Sequence, residues 1–199
     1  GRPGWHIECS AMSMKILGPS FDLHLGGEDL VFPHHEDEIA QSEGAGGQPH
    51  GHRFVQHWMH IAHLLVEGRK MSKSLGNFFT IREIFENSEW PEDITGEMLR
   101  YFLLATQYRG PLDFSDQALK EAKNAVNGFY DLFARLAETG GSASGDAGLN
   151  PAIERCTAAF RSAMDDDFNT PMALAALQGL RNDLNKLLAE GLSTDARST

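Results

Sequence analysis

The chain has 199 residues, 41% hydrophobic and 23% charged, which is enough to bury a proper core and excludes disordered and fibrous classes. No apolar run approaches the roughly 18 residues of a membrane helix. A formal net charge of −11 excludes a surface that attracts phosphate backbones everywhere, so any nucleic-acid contact must be local. The two cysteines, Cys9 and Cys156, stand far apart in dissimilar contexts, which is no disulfide framework and fits a reducing, cytoplasmic compartment. The chain opens Gly1-Arg2-Pro3-Gly4-Trp5 with no initiator Met and no signal or transit segment. It reads as a piece of a longer protein, cut on its N-terminal side.

All nine histidines fall between His6 and His63, which concentrates the chemistry early. Phe21-Asp22-Leu23-His24-Leu25 alternates with period two and predicts a strand running into a turn at Gly26-Gly27. Asp29 is placed to cap a helix over residues 30–42, with Pro33 in its first turn and Phe32, Ile39 and the His34/Glu38 pair at helical spacing. Within the apolar stretch 54–66 the later part, residues 61–66, predicts a buried strand. Strand, helix and strand together make a parallel-sheet unit.

Beyond Gly68 the periodicity turns helical, over residues 81–85 and then 95–106 with Thr95 as N-cap. Ser115 caps a longer predicted helix with Ala118, Ala122, Val126, Phe129, Phe133 and Leu136 as its apolar stripe. The small residues of 139–148 predict a surface loop. Two further helices follow over residues 152–164 and 171–190. The second has Thr170-Pro171 as cap and first-turn proline, and its stripe is Leu177, Leu180, Leu184, Leu187 and Leu188. The second half reads as a small helical bundle.

Three constellations carry chemistry. His34 and Glu38, four apart, stack an imidazole and a carboxylate on one helix face, a metal-ligand spacing. With Cys9 from another segment they form a borderline-soft donor set that suits Zn²⁺ better than Mg²⁺ or Ca²⁺. Spacing alone favours a buried apolar thiol and a solvated helix start whose acids suit the dipole, because a His/Glu pair four apart is common. Lys70-Met71-Ser72-Lys73-Ser74, followed by Leu75-Gly76-Asn77, places two ammonium groups and two hydroxyls where a polyphosphate can be gripped, or makes an ordinary basic turn. Gly26-Gly27-Glu28-Asp29 lies where a strand meets a helix, the place at which open parallel sheets take nucleotides; a plain turn fits it as well.

Taken in order, Gly1–Met12 with Trp5-His6-Ile7-Glu8-Cys9, then Phe32-Pro33-His34-His35-Glu36-Asp37-Glu38, then Lys70–Asn77, the sequence resembles the cysteinyl-tRNA synthetases over about residues 1 to 190. The resemblance implies an α/β fold: the C-terminal half of a class I Rossmann-type parallel-sheet catalytic domain followed by an α-helical bundle. It divides the chain into residues 1–80 as catalytic domain, 81–110 as a helical stem-contact region, and 111–199 as an anticodon-side bundle with a loop near 139–150. By the same resemblance Cys9, His34 and Glu38 match the family's zinc ligands. The remaining ligand, a cysteine of the preceding segment, and the His-Ile-Gly-His signature are absent, so this chain alone is expected to be inactive.

The implied reaction joins cysteine to ATP as cysteinyl-adenylate and then passes it to tRNA(Cys), with Mg²⁺ accompanying ATP and zinc selecting the thiol. Lys73 and Lys70 are the implied catalytic cations and bind ATP with Ser72, Gly27 and Asp29. Trp5, His6 and His24 line the implied cysteine pocket. A monomer is expected. Two rivals share parts of the pattern: a ligase that couples cysteine to an aminosugar in mycothiol synthesis, and a catalytically silent synthetase paralogue.

Overall fold

A computed structural model describes residues 4–45, 51–138 and 146–193. They form two compact units. One holds the described residues up to His63 together with Tyr108–Pro111; the other holds Leu64–Gln107 and the described residues from Leu112 onward.

The first unit starts with helix α1 (Trp5–Leu17), which period reasoning did not anticipate. Strand β1 (Phe21–Gly27) follows where alternation predicts it. The expected helix over 30–42 is displaced: a 3₁₀ turn (Glu28–Leu30) and a π-helical turn (Val31–His35) come first, and regular helix α2 runs only from Glu36 to Gly44. Proline is the cause. Its ring crowds the preceding residue out of the α region, and Phe32 is extended at φ −135° and ψ 134°. Asp29 therefore caps no α-helix; the acids Glu36, Asp37 and Glu38 fill the first turn of α2 instead, where the dipole favours them.

The second strand of the parallel pair also lies elsewhere than expected. It is β2 (Val55–Ile61), in register from Phe21↔Val55 to Gly27↔Ile61. Residues 61–66 divide between the end of β2 and a separate strand, β3 (Leu64–Val66), of the other unit. His57 and His60, which with His63 interrupt the apolar stretch in sequence, lie within β2.

In the second unit β3 pairs with β4 (Arg69–Lys70) in a hairpin and runs parallel to β5 (Leu112–Phe114). The hairpin turns through Glu67 and Gly68, both at positive φ (50° and 73°), the combination that lets two strands reverse in two residues. Helix α3 (Ile81–Glu86) starts on a capping box in which Thr80 Oγ1 accepts from Glu83 N and the Glu83 carboxylate accepts from Thr80 N. Helix α4 spans Glu92–Leu104, so Thr95 is not its cap. It is fully buried in the first turn, its hydroxyl 2.7 Å from Ser88 Oγ and 3.0 Å from the Pro91 carbonyl.

Ser115 does cap α5 (Asp116–Ala137), accepting from Ala118 N. The buried face of α5 is Leu119, Ala122, Val126 and Leu132; Phe133, expected in the stripe, is exposed. Helices α6 (Asp146–Asp165) and α7 (Thr170–Glu190) pack against each other. The cap of α7 is Asn169, one residue earlier than expected, and the Leu177–Leu188 stripe is half-buried. Of the expected loop, 139–145 lies outside the described residues, and residues 146–148 already form the first turn of α6.

The densest core lies between α4 and α5, where Met98, Leu99, Phe102, Leu119 and Ala122 pack with Ile84, Phe85, Trp90 and Phe114 around them. Met98, 1% exposed, sits at its centre. Met98→Ala is expected to destabilise this unit by about 2–5 kcal/mol, read from urea unfolding of the chain.

A buried cysteine, histidine and carboxylate cluster

Three of the residues singled out by spacing meet in the first unit. One ligand atom each of Cys9, His34 and Glu38 lies within 4.8 Å of the other two. Helix α1 supplies Cys9, the π-helical turn His34, and the first turn of α2 Glu38. Ser10, buried beside Cys9, ties α1 to α2 by donating to the Glu38 carbonyl at 3.4 Å.

Glu38 is the centre of the cluster, with none of its surface exposed. Its Oε1 lies 2.8 Å from His34 Nε2 and its Oε2 3.8 Å from His24 Nε2. Neither carboxylate oxygen makes a hydrogen bond, the 2.8 Å approach of Oε1 to His34 included. Burial raises the Glu38 carboxyl to about 7. Burial also raises the Cys9 thiol, helped by the charges of Glu38 and Glu8, and lowers His24 and His34. A cluster of thiol, imidazole and carboxyl donors can hold a borderline divalent cation.

Aromatic rings fix the donors. Trp5 stacks on His34 at 3.5 Å between centroids and 14° between planes. His6 packs edge-on against His34, 6.1 Å away, with Nδ1 3.6 Å from Asp37 Oδ2. His24 on β1 stacks on Trp58 of β2 at 4.7 Å. Sequence reasoning missed Trp58, His60 and His35, the last buried beneath the cluster with Nδ1 2.8 Å from His60 Nε2. Their signal was the period-two Trp58/His60 pair facing a strand that already carried His24. Gly26 is required here, because a Cβ on it would come 2.5 Å from His35 Cε1. Gly27 ends β1 and Asp29 follows in the 3₁₀ turn, both at the C-terminal end of the parallel pair.

In the second unit the Lys70–Asn77 segment is braced by its own polar groups. Asn77 Oδ1 accepts from Ser72 N, and Asn77 Nδ2 donates to the Lys70 carbonyl. Ser72 caps a 3₁₀ turn (Lys73–Leu75) by accepting from Leu75 N. Gly76 closes the turn at φ 67°, a left-handed conformation that suits glycine. Lys73 Nζ lies over the Phe78 ring at 5.3 Å.

The chain is similar to known proteins in fold and in sequence. The fold is that of a class I synthetase: the Agrobacterium radiobacter agnB2 LeuRS in its LeuRS-tRNA-LeuAMS ternary complex aligns with a TM-score of 0.65 at 18% identity, over 88% of this chain and 24% of that one. Residues 1–124 match the family model described as tRNA synthetases class I (C) catalytic domain, and the chain belongs to that family. Residues 159–198 match a DALR domain. Proteins named Cysteine--tRNA ligase from Geobacter sulfurreducens and Acinetobacter baylyi are each 50% identical to it over 96% of this chain. The chain spans 39% and 37% of the length of those two relatives. Among the described residues no helix is long and apolar enough to cross a membrane.

The cluster has a pH signature. His35 is pushed down to about 4, first by burial and then by His24, His60 and His34. The fold thus favours its neutral form, so its contribution to stability is complete above about 6.5 and is lost as pH falls toward about 4. Glu38, raised, acts in the opposite sense, its share being lost as pH rises from 4.5 through about 7. The expected result is an imidazole NMR titration of His35 centred near pH 4; a midpoint near 6.5 would contradict its burial among these rings.

Proposed function

We propose that this chain serves, within the whole protein, in the ATP-dependent activation of cysteine and its transfer to tRNA(Cys), with a zinc ion at Cys9, His34 and Glu38. The observation that carries the reading is the convergence of those three donors around a fully buried carboxylate that no hydrogen bond satisfies. The residues fit the ion on donor chemistry: thiolate, imidazole and carboxylate are the set zinc takes, and the unsatisfied oxygens have a cation as their natural partner. Bound there, zinc would supply a bond to the substrate's sulfur that a serine hydroxyl cannot match, which gives selection without proofreading.

The chain's own residues do the positioning. Trp5 stacks on the His34 ring, which holds Nε2 beside Glu38. His6 and His24 flank the cluster and wall the space for the amino acid. Gly27 and Asp29 stand at the strand ends, where adenosine is received. Lys73 and Lys70, with Ser72, counter the charge that grows on pyrophosphate as the cysteine carboxylate attacks the α-phosphorus of Mg²⁺-bound ATP. A terminal ribose hydroxyl of the tRNA then takes the cysteinyl group and AMP leaves. The helical residues beyond 110 are the tRNA-side support in this reading. It operates in the cytoplasm as a monomer.

The test uses the whole protein that carries this segment, assayed for metal content and for cysteine-dependent ATP–pyrophosphate exchange. Near-stoichiometric zinc and exchange with cysteine but not serine are expected. Cys9→Ser and Glu38→Gln should each weaken zinc binding by at least about tenfold and lower exchange with it. Exchange in zinc-free protein, or transfer of cysteine to glucosaminyl inositol in place of tRNA(Cys), would overturn the reading.

A further inference from the structure

Helices α5 and α7 are joined by two arginines that reach across in opposite directions. From α5, Arg135 donates to Asn185 Oδ1 of α7. From α7, Arg181 lies over Phe129 of α5, 5.7 Å from the ring centroid, and donates to Asn182 Oδ1 at 3.4 Å. Its approach to α5 depends on Gly128, where a Cβ would overlap Arg181 Nη1. Gly128, Asp131, Arg135, Arg181 and Asn185 line one open cleft of about 640 Å³ within the second unit.

Charge sets this cleft apart. The chain carries 28 acidic against 17 basic residues, and cations close by have found an acid: Arg155 Nη2 lies 2.9 Å and Lys186 Nζ 3.7 Å from the Asp183 carboxylate. Among the described residues no carboxylate oxygen comes within 4.0 Å of a nitrogen of Arg135 or Arg181, Asp131 of the same cleft included. Both arginines are met by amide oxygens instead, which satisfy a donor and cancel no charge. Each spends one N–H on its amide and a guanidinium has several more, while Asn182 and Asn185, engaged through their oxygens, keep their own N–H donors. Arg135 is exposed and Arg181 half-buried.

Two permanent positive charges and neutral amide donors on the facing walls of a cleft are the groups that take phosphodiester oxygens, and they do so without reading sequence. In a chain of net charge −11, RNA can be held only where cations stand without acids beside them. We propose that Arg135 and Arg181 grip the sugar–phosphate backbone of tRNA in the cleft between α5 and α7. The inference rests on the proposed function for the presence of tRNA and names where the helical half holds it.

The experiment measures tRNA(Cys) binding and cysteine-dependent exchange on the whole protein. Both are established first for the wild type; absence of either would mean that the functional reading itself has failed, before the cleft is in question. With both present, Arg135→Gln and Arg181→Gln should each raise the Kd for tRNA about tenfold at low salt and leave exchange within about twofold of wild type. Each should also flatten the dependence of log Kd on log salt by about 1, and the loss should be equal for tRNA(Cys) and a noncognate tRNA, because phosphates carry it. Both arginines brace α5 against α7, so a second measurement dispenses with variants. On wild-type protein, tRNA should protect Arg135 and Arg181 from phenylglyoxal, read by peptide mass spectrometry, while ATP and inorganic phosphate should not. An unchanged Kd or salt slope in folded variants, or arginines left unprotected by tRNA, would overturn the proposal. Protection by ATP or inorganic phosphate would assign the cleft to small anions and overturn it equally.

Discussion

The first unit is organised around one unfavourable fact: a carboxyl group with no exposed surface and no hydrogen bond to either oxygen. An isolated ionised carboxylate in such a place costs several kcal/mol, on the order of 5, even after the protein relaxes. Other groups respond to the same dryness. Burial raises Glu38 and Cys9 and lowers His24, His34 and His35, so every member of the cluster is driven toward its neutral form. The site nonetheless holds imidazole and carboxyl in close approach, with His34 Nε2 2.8 Å from Glu38 Oε1. Its donor lone pairs are left directed inward and unspent, a pattern that rings alone would not require.

Holding such a cluster needs a rigid frame, and the parallel pair β1–β2 provides it. His24 projects from one strand and Trp58 and His60 from the other, so their spacing is fixed by strand register. His35 packs into the layer they form, admitted by the missing side chain at Gly26. His34, one residue earlier, is then free to turn toward α1 and α2. The extended Phe32 before Pro33 makes that division possible. A regular helix through 30–42 would spread residues 34 and 35 about 100° apart on one cylinder, whereas the π-helical turn puts both rings inside, each at 5% exposure or less.

Legibility in the sequence followed the same physics. Elements that bury one regular face could be read: β1 by alternation, α5 with its Ser115 cap, α6 and α7 by their stripes. Helix α1 was missed because Ile7, Met12, Ile16 and Leu17 all remain exposed in it, so its apolar residues mark no single buried face. Strand β2 was misplaced because its chemistry-bearing residues occupy the positions where a hydrophobic pattern was sought. Cys9, His34 and Glu38 were nameable from spacing and from the resemblance. Their depth, and the ring layer of Trp58, His60 and His35 beneath them, depended on a strand register that no local pattern prints.

The lysine segment and the donor cluster belong to different units of the chain. Lys70 and Lys73 sit on a hairpin and turn braced by hydrogen bonds from Ser72 to Asn77, from Asn77 to Lys70 and from Gly68 to Asp113, all within one unit. The Cys9–His34–Glu38 cluster is likewise closed within the other unit. A buried carboxyl cluster and an exposed lysine segment make opposite demands: the first favours neutral groups and low dielectric, while the second favours solvated ammonium groups. Placing both in one rigid core would push the lysines toward deprotonation and draw water to Glu38. Separate local frames let each keep its own electrostatics.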